Sequence, residues 1–292
     1  VTILVLGATG MLGRVLVDEA RQRGLDVVGA ARSAADITLD LTDERAVRET
    51  LARIRPATVI NAAALIDHGQ CEAHPDAAYA INARAVALLA ESLRGTAARL
   101  VQVSTDHYFS GDGALLHDEQ SPVRLVSEYA RTKFAGEAFA LTLPGALVVR
   151  TNITGFRGQT NAPTFIEWVC RALKSGAPLK LFDDYFTSTM ATRQCAAALF
   201  DLLATPAHGR INLAARAAAS KKAFVEAMAR ALDLKMPPVE TVSVHEVLPG
   251  RADSCGLDVT AAERLLGRPL PTLDAVTALL AAEYQAANAP AA

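Results

Sequence analysis

The chain opens with an apolar run, Val1-Thr2-Ile3-Leu4-Val5-Leu6, that passes directly into Gly7-Ala8-Thr9-Gly10-Met11-Leu12-Gly13-Arg14. A run apolar on both faces reads as a buried parallel strand, and a glycine turn between it and a helix leaves the strand's carboxyl end open. Each glycine has a separate use there. Gly7 permits the tight turn, Gly10 lets a pyrophosphate approach the backbone at the helix N-terminus, and Gly13 lets the helix pack close to the strand. The spacing is G-x-x-G-x-x-G rather than the G-x-G-x-x-G of many dehydrogenases. Gly7, Thr9, Gly10, Met11, Leu12 and Gly13 are therefore the expected cofactor-binding loop.

Apolar strands and amphipathic helices alternate beyond it: strand 25–31, helix 44–54, strand 58–61, helix 77–93, strand 100–104 and strand 146–150. That order predicts an α/β fold, a Rossmann-type doubly wound parallel sheet. Small residues at the end of strand 58–61, Ala62, Ala63 and Ala64, would let a dinucleotide lie against the backbone. At the end of strand 25–31 the chain reads Gly29-Ala30-Ala31-Arg32-Ser33, without the acidic group that many NAD enzymes place there. With Arg32 available for charge-assisted bonds to a 2′-phosphate, and Arg14 near the helix start, NADPH is the expected cofactor; NADH stays open.

Tyr129 and Lys133 lie four apart in a stretch that reads as helix, so a phenol and an ammonium share one face. Hydride addition to a ketone leaves an alkoxide that needs a proton. A neighbouring cation brings a phenol's pKa of about 10 down toward working pH, which suits Tyr129 as general acid. Lys133 would also hold the nicotinamide ribose.

The glycine loop and Y-x-x-x-K together resemble the short-chain dehydrogenase/reductase superfamily, in its extended branch. Within that branch the chain is similar to the dTDP-4-dehydrorhamnose reductases and related nucleotide-sugar reductases. The likeness runs through Asn61-Ala62-Ala63-Ala64, Ala78 to Ala83, Ser104-Thr105-Asp106, Tyr129 to Glu137, Arg150-Thr151 and Asp183 to Phe186, and reaches Arg251 to Ser254 and Leu257-Asp258. It implies NADPH-dependent reduction of a nucleotide-linked 4-keto-6-deoxy sugar in polysaccharide or glycoside biosynthesis. Thr105 joins Tyr129 and Lys133 as a catalytic residue bonding the substrate oxygen, and Asp40 and Leu41 take the adenine-contacting position. The resemblance further implies a smaller C-terminal α/β substrate lobe. The expected division is a dinucleotide-binding domain over residues 1–152, with 191–214 returning to it, and a substrate lobe over 153–190 and 215–292. The Ala-rich tail after Tyr284 looks dispensable.

The chain departs from the family where the sugar should sit. After Thr105 it reads Asp106-His107-Tyr108-Phe109 where Asp-Tyr-Val-Phe is usual, and Asn152-Ile153 replace a Ser-Trp pair. Losing an indole and moving a phenol changes which sugar, or which stereochemistry, is accepted. His107, Asn152 and Ile153, with Thr105, are the expected substrate contacts. Two other readings stay open: a nucleotide-sugar epimerase or dehydratase on the same scaffold, and a non-catalytic NADP-binding regulatory subunit. Members of the branch pair through two helices of each subunit, which implies a homodimer.

Composition narrows the partners. The 292 residues carry 29 Lys and Arg against 31 Asp and Glu, a formal charge of -2, so no broad basic field favours nucleic acid. No apolar run reaches the ~18 residues of a spanning helix, so no membrane partner is expected and the cytoplasm is the expected compartment. Cys71, Cys170, Cys195 and Cys255 are too far apart for a zinc knuckle or redox pair, and the six histidines show no H-x-x-x-H spacing; no metal is expected.

Overall fold

The structure is a computed structural model and describes residues 2–158 and 163–288; Val1 and the last four residues of the Ala-rich tail lie outside them. The chain divides into two compact units.

The first unit holds residues up to Thr105, Leu125–Arg150 and Ala196–Ile211. It is built on a seven-stranded sheet: β1 (Ile3–Leu6), β2 (Val27–Ala31), β3 (Ile37–Thr38), β4 (Thr58–Asn61), β5 (Arg99–Val103), β6 (Leu147–Arg150) and β7 (Gly209–Asn212). The spatial order is β7-β6-β5-β4-β1-β2-β3, and every pair from β6 to β3 is parallel. Strand order reverses between β1 and β4, which is where an open parallel sheet leaves a crevice at its carboxyl edge. Leu4, Val59, Leu100 and Val148 pack in the core against Val47 and Leu51 of the Glu44–Ile54 helix and Val86 and Leu89 of the Ala85–Leu93 helix. Each such side chain contributes roughly 1.5–3 kcal/mol on burial, which is why these continuous apolar runs become central strands.

The single helix expected over 77–93 is instead two helices, Pro75–Tyr79 and Ala85–Leu93, joined by a π-helical turn at Ala80–Arg84. The wider turn delivers the Asn82 carbonyl toward the neighbouring Glu128–Ala140 helix. A Cβ on Gly136 would come within 2.2 Å of that oxygen. Only glycine fits there.

The second unit holds Asp106–Arg124, Thr151–Cys195 and the chain from Asn212 onward. Its helices Phe165–Ser175, Lys221–Ala231 and Leu273–Ala287 bury Ile166, Val169, Phe224, Val225, Val276 and Leu280 in a separate core. Around them lie short strands, among them Phe186–Thr187, which pairs with Ser254–Leu257. Residues 106–124, expected with the first unit, group with the second. Leu116–His117 adds in parallel to Ser254–Leu257, and the Ser254 amide donates to the Phe109 carbonyl at 3.3 Å. Residues 151–152, 191–195 and 212–214 likewise group with the second unit. Among the described residues no helix is long and apolar enough to cross a membrane, and all four cysteines are free and buried.

Candidate active site

In the first unit the glycine loop connects β1 to the Met11–Gln22 helix. Gly7 has φ of +76°, and a Cβ there would lie 2.7 Å from the Ala63 amide nitrogen. The loop and the Ala62–Ala64 segment are thus in backbone contact. A Cβ on Gly13 would lie 2.1 Å from the Gly7 carbonyl oxygen, so the helix meets the turn as closely as backbone allows. Gly10, the helix N-cap, is different. An added Cβ would meet one atom, the Gly7 carbonyl oxygen at 3.1 Å, and otherwise open space. The amides of the first turn have no helical acceptors, so this opening favours an anion.

A cavity of about 220 Å³ beside the loop is lined by Thr9, Arg14, Arg21, Gly29 and Asp36, among others. Asp36 corrects the sequence reading of this neighbourhood. The stretch Gly29–Ser33 has no acid, but the chain folds back so that the Asp36 carboxylate accepts the Gly29 amide at 2.8 Å and meets the Arg21 guanidinium at 3.3 Å. Arg32 is exposed. Asp40 accepts both the amide and the hydroxyl of Thr42, at 2.9 and 2.8 Å, and the amide bond, the hydroxyl bond and the Arg32 charge hold its carboxyl below the usual range. That carboxylate stabilises the turn before the Glu44–Ile54 helix; Leu41 packs at the edge of the core.

Tyr129 and Lys133 both lie on the Glu128–Ala140 helix, which Ser127 caps by accepting the Ala130 amide at 3.2 Å. Both are buried. The Tyr129 ring packs against the His68 ring with centroids 4.7 Å apart, a neighbour that no sequence period marks. Lys133 donates to the Val103 carbonyl at the end of β5 at 2.7 Å. Burial lowers its ammonium to about 8, with the Glu137 charge working against the shift. Thr105, two residues beyond that carbonyl, is buried as well.

Two buried networks fix this helix. Glu137, fully buried, accepts from Ser104 at 2.7 Å, from Arg150 at 2.9 Å through both Nε and Nη2, and from Arg210 at 3.1 Å. One carboxylate therefore ties the helix to the end of β5, to β6 and to β7. On the other side Asn82 donates to the Thr132 hydroxyl at 3.1 Å and to the Leu65 carbonyl at 3.0 Å, and accepts the Leu65 amide at 2.9 Å. The segment that follows β4 is held in this way against the helix bearing the Tyr-Lys pair.

The remaining expected contacts fall in the second unit. His107, Asn152 and Ile153 line one cavity of about 480 Å³ together with Tyr185, Lys221 and Arg251. Asn152 donates to Asp106 at 2.8 Å and accepts from Thr189 at 2.8 Å, and His107 Nε2 lies 3.4 Å from the Tyr185 hydroxyl. Lys221 was not foreseen. It sits over the rings of Phe165 and Tyr185, 5.0 Å from each centroid, and burial lowers its ammonium to about 8 while Asp106 and Cys255 oppose and Arg251 adds to the shift. In the sequence it is the first of two lysines opening a helix, the pattern of a solvated surface.

Comparison with known proteins gives a coherent set. A model of the RmlD substrate binding domain matches residues 1–285. A probable low-salt glycan biosynthesis reductase of Haloferax volcanii is 30% identical over 294 residues, covering 96% of this chain and 97% of that protein. A dTDP-4-dehydrorhamnose reductase of Streptomyces griseus is 40% identical over 150 residues, 51% of this chain and 48% of the relative. Among solved structures, the dTDP-4-dehydrorhamnose reductase of Bacillus anthracis in complex with NADP superposes with a TM-score of 0.86 at 25% identity, covering 97% of this chain and 99% of that one.

Proposed function

The chain belongs to the RmlD substrate binding domain family, and on that premise we propose that it is an NADPH-dependent reductase of a nucleotide-linked 4-keto-6-deoxy sugar, serving polysaccharide or glycoside biosynthesis. One structural observation carries the reading: Tyr129 and Lys133 are buried side by side on a helix that two polar networks lock to the sheet edge behind the glycine loop.

The first unit fits a dinucleotide. The open face of Gly10 and the free amides after it receive the pyrophosphate, the Ala62–Ala64 backbone lies against the loop, and Arg14 and Arg32 supply positive charge for a 2′-phosphate. Asp36 is already engaged by Arg21 and the Gly29 amide, which leaves its charge partly balanced in that neighbourhood. Bound NADPH supplies the hydride.

The residues of the chain do the rest. Tyr129 gives its phenolic proton to the carbonyl oxygen as negative charge develops there, and Thr105 donates a hydrogen bond to the same oxygen. Lys133 holds one donor on the Val103 carbonyl and has two more, for the nicotinamide ribose and for stabilising the phenolate until solvent reprotonates it. His107, Asn152 and Ile153 contact the sugar from the second unit's cavity. Sugar nucleotides and NADPH are cytoplasmic metabolites, which supports the cytoplasm as the compartment, and the family likeness supports a homodimer, checked by light scattering.

The test is NADPH oxidation with a panel of enzymatically made nucleotide 4-keto-6-deoxy sugars. Wild-type protein should oxidise NADPH only when a sugar is present. Tyr129→Phe should lose about 10²–10⁴ in turnover while binding NADPH as before, since a positioned general acid contributes that much to rate. Equal turnover in the variant would exclude Tyr129 as the acid.

A further inference from the structure

Four hydrogen bonds run in series through the second unit. Lys221 Nζ donates to Thr187 Oγ1 at 3.0 Å, Thr187 Oγ1 and Thr189 Oγ1 are 2.8 Å apart, Thr189 Oγ1 donates to Asn152 Oδ1 at 2.8 Å, and Asn152 Nδ2 donates to Asp106 Oδ2 at 2.8 Å. The direction of every bond is fixed by its ends. An ammonium only donates and a carboxylate only accepts. Because Asp106 takes the Asn152 amide hydrogens, Asn152 must present its carbonyl to Thr189. Thr189 then spends its single hydroxyl proton on Asn152, so Thr187 must donate to Thr189, and Thr187 must in turn accept from Lys221.

The donor end of this chain is costly as it stands. Lys221 is the first residue of the Lys221–Ala231 helix, where the peptide dipoles disfavour a cation, and Lys222 follows it. Among the described residues neither Lys221 nor Arg251, which line the same cavity, is in ion-pair contact with a carboxylate, and Arg251 Nε is buried without a hydrogen-bond partner. Phe165 and Trp168 stand on the cavity wall with ring centroids 6.1 Å apart. Two embedded cations beside aromatic rings, at the positive end of a helix, suit an anion joined to a planar group.

We propose that Lys221 is a specificity-determining residue of this cavity: it receives the diphosphate of the sugar nucleotide and, through Thr187 and Thr189, holds Asn152 in the single amide orientation that presents an N–H to the sugar. The inference rests on the reductase reading for the identity of the ligand. Anion recognition and sugar orientation become one event. With the diphosphate seated, Lys221 still donates to Thr187, so the anion and Asn152 are held by one chain of bonds.

Calorimetric titration of the full-length protein with dTDP, UDP and GDP tests the anion half without any turnover. One of the three should bind the wild type, and Lys221→Met should weaken that binding at least tenfold, Lys221→Arg by much less, with NADPH binding unchanged in both. Binding of none of the three to the wild type, or equal binding by Lys221→Met, overturns the proposal. The relay is tested by kinetics with the sugar nucleotide. Thr187→Val, which retains the ammonium and removes the oriented hydroxyl, should lower kcat/KM at least threefold, and Thr187→Ser should restore it; a Thr187→Val enzyme equal to the wild type removes the coupling to Asn152. Nucleoside diphosphate binding that depends on Lys221, in a protein that oxidises no NADPH with any sugar, would instead count against the reductase reading alone.

Discussion

Lys133 answers two opposed requirements. The chemistry asks for an ammonium beside the phenol, yet the side chain is buried beside β5, and burial lowers its pKa from 10.5 to about 8. The sign of the consequence follows from linkage. Below pH 8 the group is charged in both folded and unfolded chains, and the cost of burying that charge is present in full. Between pH 8 and 10.5 the unfolded chain binds more protons than the folded one, so the cost is relieved and stability rises with pH. In urea unfolding of the cofactor-free protein, Lys133→Met should therefore exceed the wild type most at pH 7, and the gap should shrink by pH 9.5; a gap independent of pH would mean that folding does not lower the Lys133 pKa. Turnover should move the other way and fall above pH 8 as the ammonium is lost. Tyr129 and Lys133 were legible in the sequence because one helical period joins them. Glu137 lies in the same motif, but its partners Ser104, Arg150 and Arg210 come from separate strand ends and carry no mutual spacing. Asp36 and Lys221 stayed hidden for a related reason: each acts on a site that its sequence neighbours do not mark.

The glycine turn and its helix make different demands on their three glycines, and substitution separates them. Gly13→Ala places a Cβ 2.1 Å from the Gly7 carbonyl, where backbone must move, so destabilisation of at least about 1–3 kcal/mol is expected from overpacking. Gly10→Ala meets only one oxygen at 3.1 Å and keeps an extended φ of -71° that alanine adopts, so its melting temperature should stay within a few degrees of the wild type. Its NADPH affinity should still drop at least tenfold, because the methyl occupies the face proposed to receive the pyrophosphate. Fluorescence titration and thermal melts on the two variants check this; Gly10→Ala binding NADPH normally would place the pyrophosphate elsewhere. Elements of this kind were readable in advance. Glu44–Ile54 and Thr58–Asn61 coincide with their expected bounds, since each is a periodic or largely apolar run between turn residues. The π-helical turn at Ala80–Arg84 was not, because one inserted residue in an alanine-rich helix leaves the apolar pattern unbroken. Nor were Ile153–Thr154, Phe186–Thr187, Met190–Ala191 and Ala219–Ser220, two-residue strands too short to express a period.

At the scale of the whole molecule, the chain passes between the two units at Thr105–Asp106, Arg124–Leu125, Arg150–Thr151, Cys195–Ala196 and Ile211–Asn212. The first 150 residues hold the glycine loop, the Tyr-Lys pair and six of the seven strands. The contacts that residues 196–211 make inside the first unit complete it. Residues 196–211 give Asp201 to the Arg23 guanidinium at 2.8 Å, the Leu203 and Ala207 carbonyls to Arg99, Arg210 to Glu137, and the Gly209 amide to the Ala146 carbonyl at 2.8 Å. Without them the Arg99 guanidinium, whose pKa burial already lowers, has lost its acceptors, and β6 becomes a bare edge. A fragment of residues 1–150 should therefore show no cooperative thermal transition and no NADPH binding, whereas full-length Lys221→Met keeps both. Circular dichroism melts and cofactor titration decide it. A fragment that melts cooperatively and binds NADPH would mean that the returning segment adds stability to a unit already complete, and that the cofactor-binding half of the reaction can be separated from the rest of the chain.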